Sequence, residues 1–172
     1  RIKAEGKESP ADLLIAADAG RLVRAQDAGI LQSATSSKLD KQVPKNMRDE
    51  AGHWYGFTVR SRVLIYSKDR IKPSQLSTYE DLADTKWKGK LLARSSSNIY
   101  NQSLLASIIA NNGNQAAAKW ASAVRKNMAR PPEGSDRDQM RAVAAGIGDV
   151  AIAIMLTRTK SPKRLLRVRW HS

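Results

Sequence analysis

The sequence predicts an α/β protein. Three short apolar runs, Leu13-Leu-Ile-Ala-Ala17, Leu91-Leu-Ala93 and Val150-Ala-Ile-Ala153, each have the length of a buried strand. Helix-period segments with polar caps stand beside them: Asp18 follows the first run, Ser95-Ser-Ser-Asn98 the second, and Asp136 opens the segment before the third. Strands alternating with helices in this order build layered α/β domains.

The opening segment, Arg1 to Glu8, is charged, and Gly6 and Pro10 stop any helix there, so it reads as the end of an element. The run ending at Ala17 is expected to be a buried strand. Asp18 then caps a helix from Ala19 to about Ala28, with Leu22, Val23 and Ala25 as its apolar positions and Gly29 as its stop. An acid at a strand's C-terminal end also stands where open α/β sheets hold ligands, so Asp18 serves either as a plain cap or as part of a site. Residues 33–46 are rich in Ser, Thr, Lys and Asp and predict a surface loop. Trp54-Tyr-Gly-Phe-Thr-Val-Arg-Ser-Arg-Val-Leu-Ile-Tyr66 is aromatic and β-branched and predicts one or two strands. Two positions apart, Arg60 and Arg62 share one face of that strand.

A turn around Pro73 follows, then a short helix at Thr78-Tyr-Glu-Asp-Leu-Ala83, packed down by Trp87. The long central helix carries Ile99, Leu104, Leu105, Ile108 and Ile109 on one stripe, is capped by Ser96, Ser97 or Asn98, and closes at Gly113. Residues 115–127 form a second helix with Ala117, Trp120, Ala121 and Val124 on one face. Asp136 is expected to cap a third helix with Met140, Val143 and Ala144 as its core face, stopped at Gly146.

Charge is unevenly placed. The 172 residues carry a net +14, and no acid follows Asp149, while Arg158, Lys160, Lys163, Arg164, Arg167 and Arg169 all lie beyond it. Such a run binds nucleic acid or an anionic membrane, or stays a solvated tail. The absence of cysteine excludes disulfides and thiolate metal sites. Two histidines, His53 and His171, lie too far apart in sequence to point to zinc. Neither has an obvious acidic partner, and the central serines have no nearby histidine, so no nucleophile–base pair points to an enzyme. The first residues, Arg1-Ile-Lys-Ala-Glu-Gly6, lack the apolar core of a signal peptide. A ligand-binding lobe fits these features better than a catalyst.

The central strand, polar loop and helix N-terminus direct free amides and the positive end of a helix dipole at one point, which suits an anion. Tyr100 stands in the first turn beside it. Its side chain is either a half-buried aromatic with a hydrated hydroxyl or an oxygen with a ligand to hold.

Three blocks carry a resemblance: Asp81-Leu-Ala-Asp-Thr-Lys-Trp-Lys-Gly-Lys90 with Ser95-Ser-Ser-Asn-Ile-Tyr-Asn-Gln102, then Asp136-Arg-Asp-Gln-Met-Arg-Ala-Val-Ala-Ala-Gly-Ile-Gly-Asp-Val-Ala-Ile-Ala153, and Ala11-Asp-Leu-Leu-Ile-Ala-Ala-Asp-Ala-Gly20. Over about Arg1 to Ala153 the chain resembles the periplasmic ferric-iron-binding proteins of ABC transporters, in the branch that holds iron through several tyrosines. The resemblance implies a partial periplasmic-binding-protein fold of the type II, transferrin-like kind. Residues 1–66 would form a partial first lobe ending in an inter-lobe strand, residues 67–153 a partial second lobe with the ligand loop, and residues 154–172 a basic tail outside the family pattern. It implies Fe(3+) as the captured solute, with or without a synergistic anion, a permease of the inner membrane as partner, a monomer in the periplasm, and no nucleic acid. Tyr100 matches a tyrosine ligand, while Arg60, Ser96, Ser97, Asn98 and Asp18 are the candidate anion contacts. The family's adjacent Tyr-Tyr pair after the last strand is missing, since the chain continues Ile154-Met-Leu-Thr-Arg-Thr-Lys160. A truncated or frameshifted reading frame, with impaired iron capture, is the expectation. The alternative from a different class is anion or nucleic-acid binding through the basic tail.

Overall fold

Every residue of Val150-Ala-Ile-Ala153 is buried, and this run opens β3 (Val150–Thr157), the central strand of a three-stranded sheet. The computed structural model describes residues 1–157. β1 (Val59–Tyr66) lies antiparallel to β3, in a register from Val59 opposite Thr157 to Tyr66 opposite Val150. β2 (Leu91–Leu92) lies parallel on the other side, Leu91 opposite Val150 and Leu92 opposite Ala151. From Val150 to Ala153 β3 is buried on both faces, which is why this stretch reads as a continuous apolar run rather than an alternating one.

Alternation along β3 sorts the core into two layers. Val150 and Ile152 join Leu91, Leu82, Trp87, Leu104, Ile108, Ala117 and Val124 on one side, under α4 (Ile99–Asn112) and α5 (Asn114–Lys126). Ala151 meets Leu92, Ala142 and Val143 of α6 (Asp136–Ala144) on the other. Before the sheet come α1 (Ile2–Glu5), α2 (Ala19–Asp27) and α3 (Ser37–Gln42). The helices on both faces of a mixed sheet are the α/β arrangement expected, and β1, the anticipated inter-lobe strand, is a full member of the sheet that carries β2 and β3.

Four local expectations are corrected. Residues 13–17 are not a strand, and Leu13 and Ile15 are 83% and 92% exposed. An apolar run becomes a strand only when another strand takes its backbone hydrogen bonds, and none of the described residues pairs with it. Within the expected loop at 33–46, Ser36 caps α3 through its side chain, and Val43 behind it is buried. The cap of α6 is Ser135 rather than Asp136: the Ser135 side chain accepts from the Asp138 N–H while the Asp138 carboxylate accepts from the Ser135 N–H. One residue's shift in the start turns the helix, so its buried face is Asp136, Gln139, Ala142 and Val143, while Ala144 is exposed.

β3 continues four residues past Ala153, to Thr157. The basic residues from Arg158 onward, and with them the alternative of nucleic-acid or anion binding through the tail, lie outside the described residues. Among the described residues no helix is long and apolar enough to cross a membrane.

Candidate functional site

The loop between β2 and α4 is built by its own polar side chains. Asn98 caps α4 by accepting from the Tyr100 N–H at 3.0 Å. The Ser95 hydroxyl lies 2.9 Å from that of Ser97 and accepts from the Ser97 N–H at 3.2 Å. The Asn98 N–H closes the turn on the Ser95 carbonyl. Ser96 is exposed, and its hydroxyl has no hydrogen-bond partner among the described residues. These short-range bonds are the reason a Ser-rich segment ends a strand and opens a helix here.

Tyr100 is half-buried between two guanidinium groups. Arg60, from β1, donates to its phenol oxygen at 3.0 Å across 40 residues of sequence. The Arg94 guanidinium lies over the ring, 5.6 Å from its centre, within cation–π range. Behind them Arg62 donates to both oxygens of Asp136 at 3.0 Å and to the Asn101 side-chain oxygen at 2.5 Å. Arg94 also comes within 3.8 Å of Asp136. Arg62 and Arg94 therefore share the Asp136 carboxylate, Arg60 on the Tyr100 phenol has no acid beside it among the described residues, and the dipole of α4 adds positive potential at the same place. Such a surplus attracts an anion.

Asp18 is the cap that the sequence offers as one of its two readings. Its carboxylate caps α2 through the Gly20 N–H at 2.8 Å and accepts the Ser103 hydroxyl at 3.0 and 2.9 Å. It braces α2 against α4 and bears the sign that repels an anion. Its φ of 82° is the only positive value at a non-glycine among the described residues. His53, without an obvious partner in sequence, pairs with Asp49 at 2.7 Å, and the His53 N–H and ring together hold the Asp49 carboxyl below its ordinary range. Among the described residues no three His, Cys, Asp or Glu side chains gather as a metal site.

Residues 8–160 match the family described as bacterial extracellular solute-binding protein. The chain belongs to this family. It is 55% identical over 153 residues to iron uptake protein A2 of Synechocystis, covering 89% of this chain and 44% of that protein. Iron uptake protein A1 of the same organism is 48% identical over 153 residues, covering 89% and 42%. Among solved structures, a Trichodesmium protein in complex with iron and citrate ligands superposes with a TM-score of 0.85 at 56% identity, covering 89% of this chain and 48% of that one. The ferric binding protein of Campylobacter jejuni gives 0.85 at 41%, covering 90% and 49%. The chain spans under half the length of the curated relatives it matches. As a type II periplasmic-binding fold it is therefore partial, and the helices and mixed sheet described above are the portion present.

Sequence reasoning finds Tyr100, Arg60 and the Ser95–Asn98 turn, and the structure brings these together. It misses Arg94, Asn101 and Asp136, whose partners lie 39 to 74 residues away or face the ring rather than the chain neighbours.

Proposed function

We propose that this chain is substrate-binding material of an ABC-type ferric iron importer, and that Tyr100 is its ligand to Fe(III). The observation that carries this is the Arg60–Tyr100 contact: a phenol oxygen is presented at the positive end of a 14-residue helix, beside a serine turn that leaves the Ser96 hydroxyl exposed. Ferric iron is small and hard and favours anionic oxygen. Binding takes the phenol as phenolate, a deprotonation driven by the metal's own charge. The surplus of guanidinium around Tyr100 opposes a bare cation, so the iron enters with an accompanying anion, held by Arg60 with Ser96, Ser97 and Asn98. The similarity to a protein solved with iron and citrate supports this cargo.

On this reading the chain captures iron in the periplasm as a monomer, passes it to a permease of the inner membrane and catalyses nothing. Residues 1–66 carry the first lobe and pass by β1 into the sheet of the second, which runs to Thr157, and the basic residues from Arg158 onward follow as an extension. One phenolate holds iron weakly, and further ligands would come from parts of the fold beyond the described residues.

The test is titration of wild type and Tyr100→Phe with ferric citrate, reading the visible phenolate-to-iron charge-transfer band. The variant removes one oxygen and little volume. Loss of the band with an unchanged circular dichroism spectrum is expected. Equal bands from both proteins would overturn the assignment.

A further inference from the structure

Asn101 joins three pieces that the Tyr100 loop needs held together. Its side-chain nitrogen donates to the Arg94 carbonyl at 2.7 Å and to the Ser95 carbonyl at 3.4 Å, and its oxygen accepts from Arg62 at 2.5 Å. The orientation of the amide is fixed by chemistry: a guanidinium only donates and a carbonyl only accepts, so a flipped amide would lose every bond. Arg62 is itself locked, with its side chain 9% exposed and its guanidinium on Asp136 and the Ile152 carbonyl. The order of support runs from β3 and α6 through Arg62 to Asn101, and from Asn101 to the backbone of Arg94 and Ser95.

We infer that Asn101 is the positioning residue of the ligand loop, aiming Tyr100 and the Ser95–Asn98 turn at the cargo without touching it. The loop half of this inference stands on the hydrogen bonds alone, and the cargo half rests on the ferric reading above. Asn101 immediately follows Tyr100, so its two bonds to the loop fix the pitch at which the chain enters α4. They also hold Arg94, whose guanidinium covers the Tyr100 ring.

Asn101→Asp separates positioning from stability. The aspartate keeps the volume and the acceptor for Arg62 but loses the donor to the loop. We expect an unfolding temperature near that of wild type, with the amides of Ser97, Asn98 and Tyr100 exchanging about tenfold faster, the equivalent of roughly one to two hydrogen bonds. In ferric citrate titration the charge-transfer band should weaken and the affinity fall by about the same factor. Asn101→Ala should give the same loop exchange and serves if the aspartate variant does not fold. Wild-type exchange rates in the loop would overturn the inference. So would a loosened loop with ferric affinity unchanged. If wild type shows no ferric band, the cargo reading fails, and the exchange rates alone decide whether Asn101 positions the loop.

Discussion

Arg62 and Asp136 meet across 74 residues of sequence, one guanidinium nitrogen standing 3.0 Å from both carboxylate oxygens. The pair connects β1 to the first turn of α6, and its side chains are 9% and 7% exposed. A buried pair adds little over a well-packed apolar one, but removing one partner strands a charge. Asp136→Ala should therefore cost about 3–5 kcal/mol. Urea unfolding should show a lower midpoint at an unchanged slope, and a loss under about 1 kcal/mol would mean that solvent, with the Asn101 oxygen and the Ile152 carbonyl, satisfies Arg62 without the carboxylate.

Ser135 and Asp138 close the cap of the same helix reciprocally. Ser135→Ala removes the side-chain acceptor of the Asp138 N–H and the hydroxyl's bond to the Asp138 carboxylate, leaving the Ser135 carbonyl, and should destabilise by about 1 kcal/mol. Ser135→Thr, which keeps a hydroxyl to accept from the Asp138 N–H and to donate to its carboxylate, should recover most of that loss in the same denaturation series.

These two sites mark the border of what sequence carries. Asn98 and Asp18 are legible as caps because a cap is a contract between residues two or three apart. Asp136 is legible as a residue near a helix start, but Ser135 and Asp138 decide the start, and the one-residue shift moves Ala144 from core to solvent. Residues 13–17 have the composition of a buried strand, yet a strand's existence depends on a partner that composition does not name. Tyr100 and Arg60 stand out singly. Their contact, and the Arg62–Asn101–Asp136 support behind it, arise from the pairing of β1 with β3, which no local pattern encodes.

Gly148 precedes β3 at a point where backbone and side chain press close. A methyl group there would meet the Leu92 side chain at 2.8 and 2.9 Å and the Lys90 carbonyl at 2.9 Å. Because the carbonyl belongs to the β2–β3 junction, where the Asp149 and Val150 amides donate to it, it has little room to retreat. Gly148→Ala should cost about 1–3 kcal/mol, typical of overpacking. Thermal unfolding measures it, and an unchanged midpoint would show that Leu92 yields freely.

Tyr79 gives the fold an alkaline limit. Burial raises the pKa of its phenol above the ordinary value of 10.0, with the Arg62 charge partly opposing, and its hydroxyl donates to the Arg62 carbonyl at 2.5 Å. A raised value means that the folded state keeps the proton after the unfolded chain has lost it. Stability from this group is complete below the unfolded value and declines as pH climbs from about 10 toward the folded one. Tyr79→Phe should lose the hydrogen bond at neutral pH and flatten the decline. Urea unfolding of both proteins between about pH 9 and 11 separates them, and parallel curves would remove Tyr79 from the account.

Leu13 and Ile15 present apolar side chains to solvent at 83% and 92% exposure, on a run without a pairing strand. Exposed apolar backbone that has no neighbour is a template for another chain, and β1, the edge strand of the sheet among the described residues, is a second place to look. Neither Leu13 nor Ile15 belongs to either core cluster, so replacing them with serine removes no described packing. The double variant Leu13→Ser, Ile15→Ser should hold its unfolding free energy within about 0.5 kcal/mol of wild type, as surface changes do. Its tendency to self-associate should fall, read as a smaller rise of sedimentation coefficient with protein concentration. A drop in stability of more than about 1 kcal/mol would show that the segment packs in solution. Unchanged association would move the adhesive surface away from it, to the β1 edge.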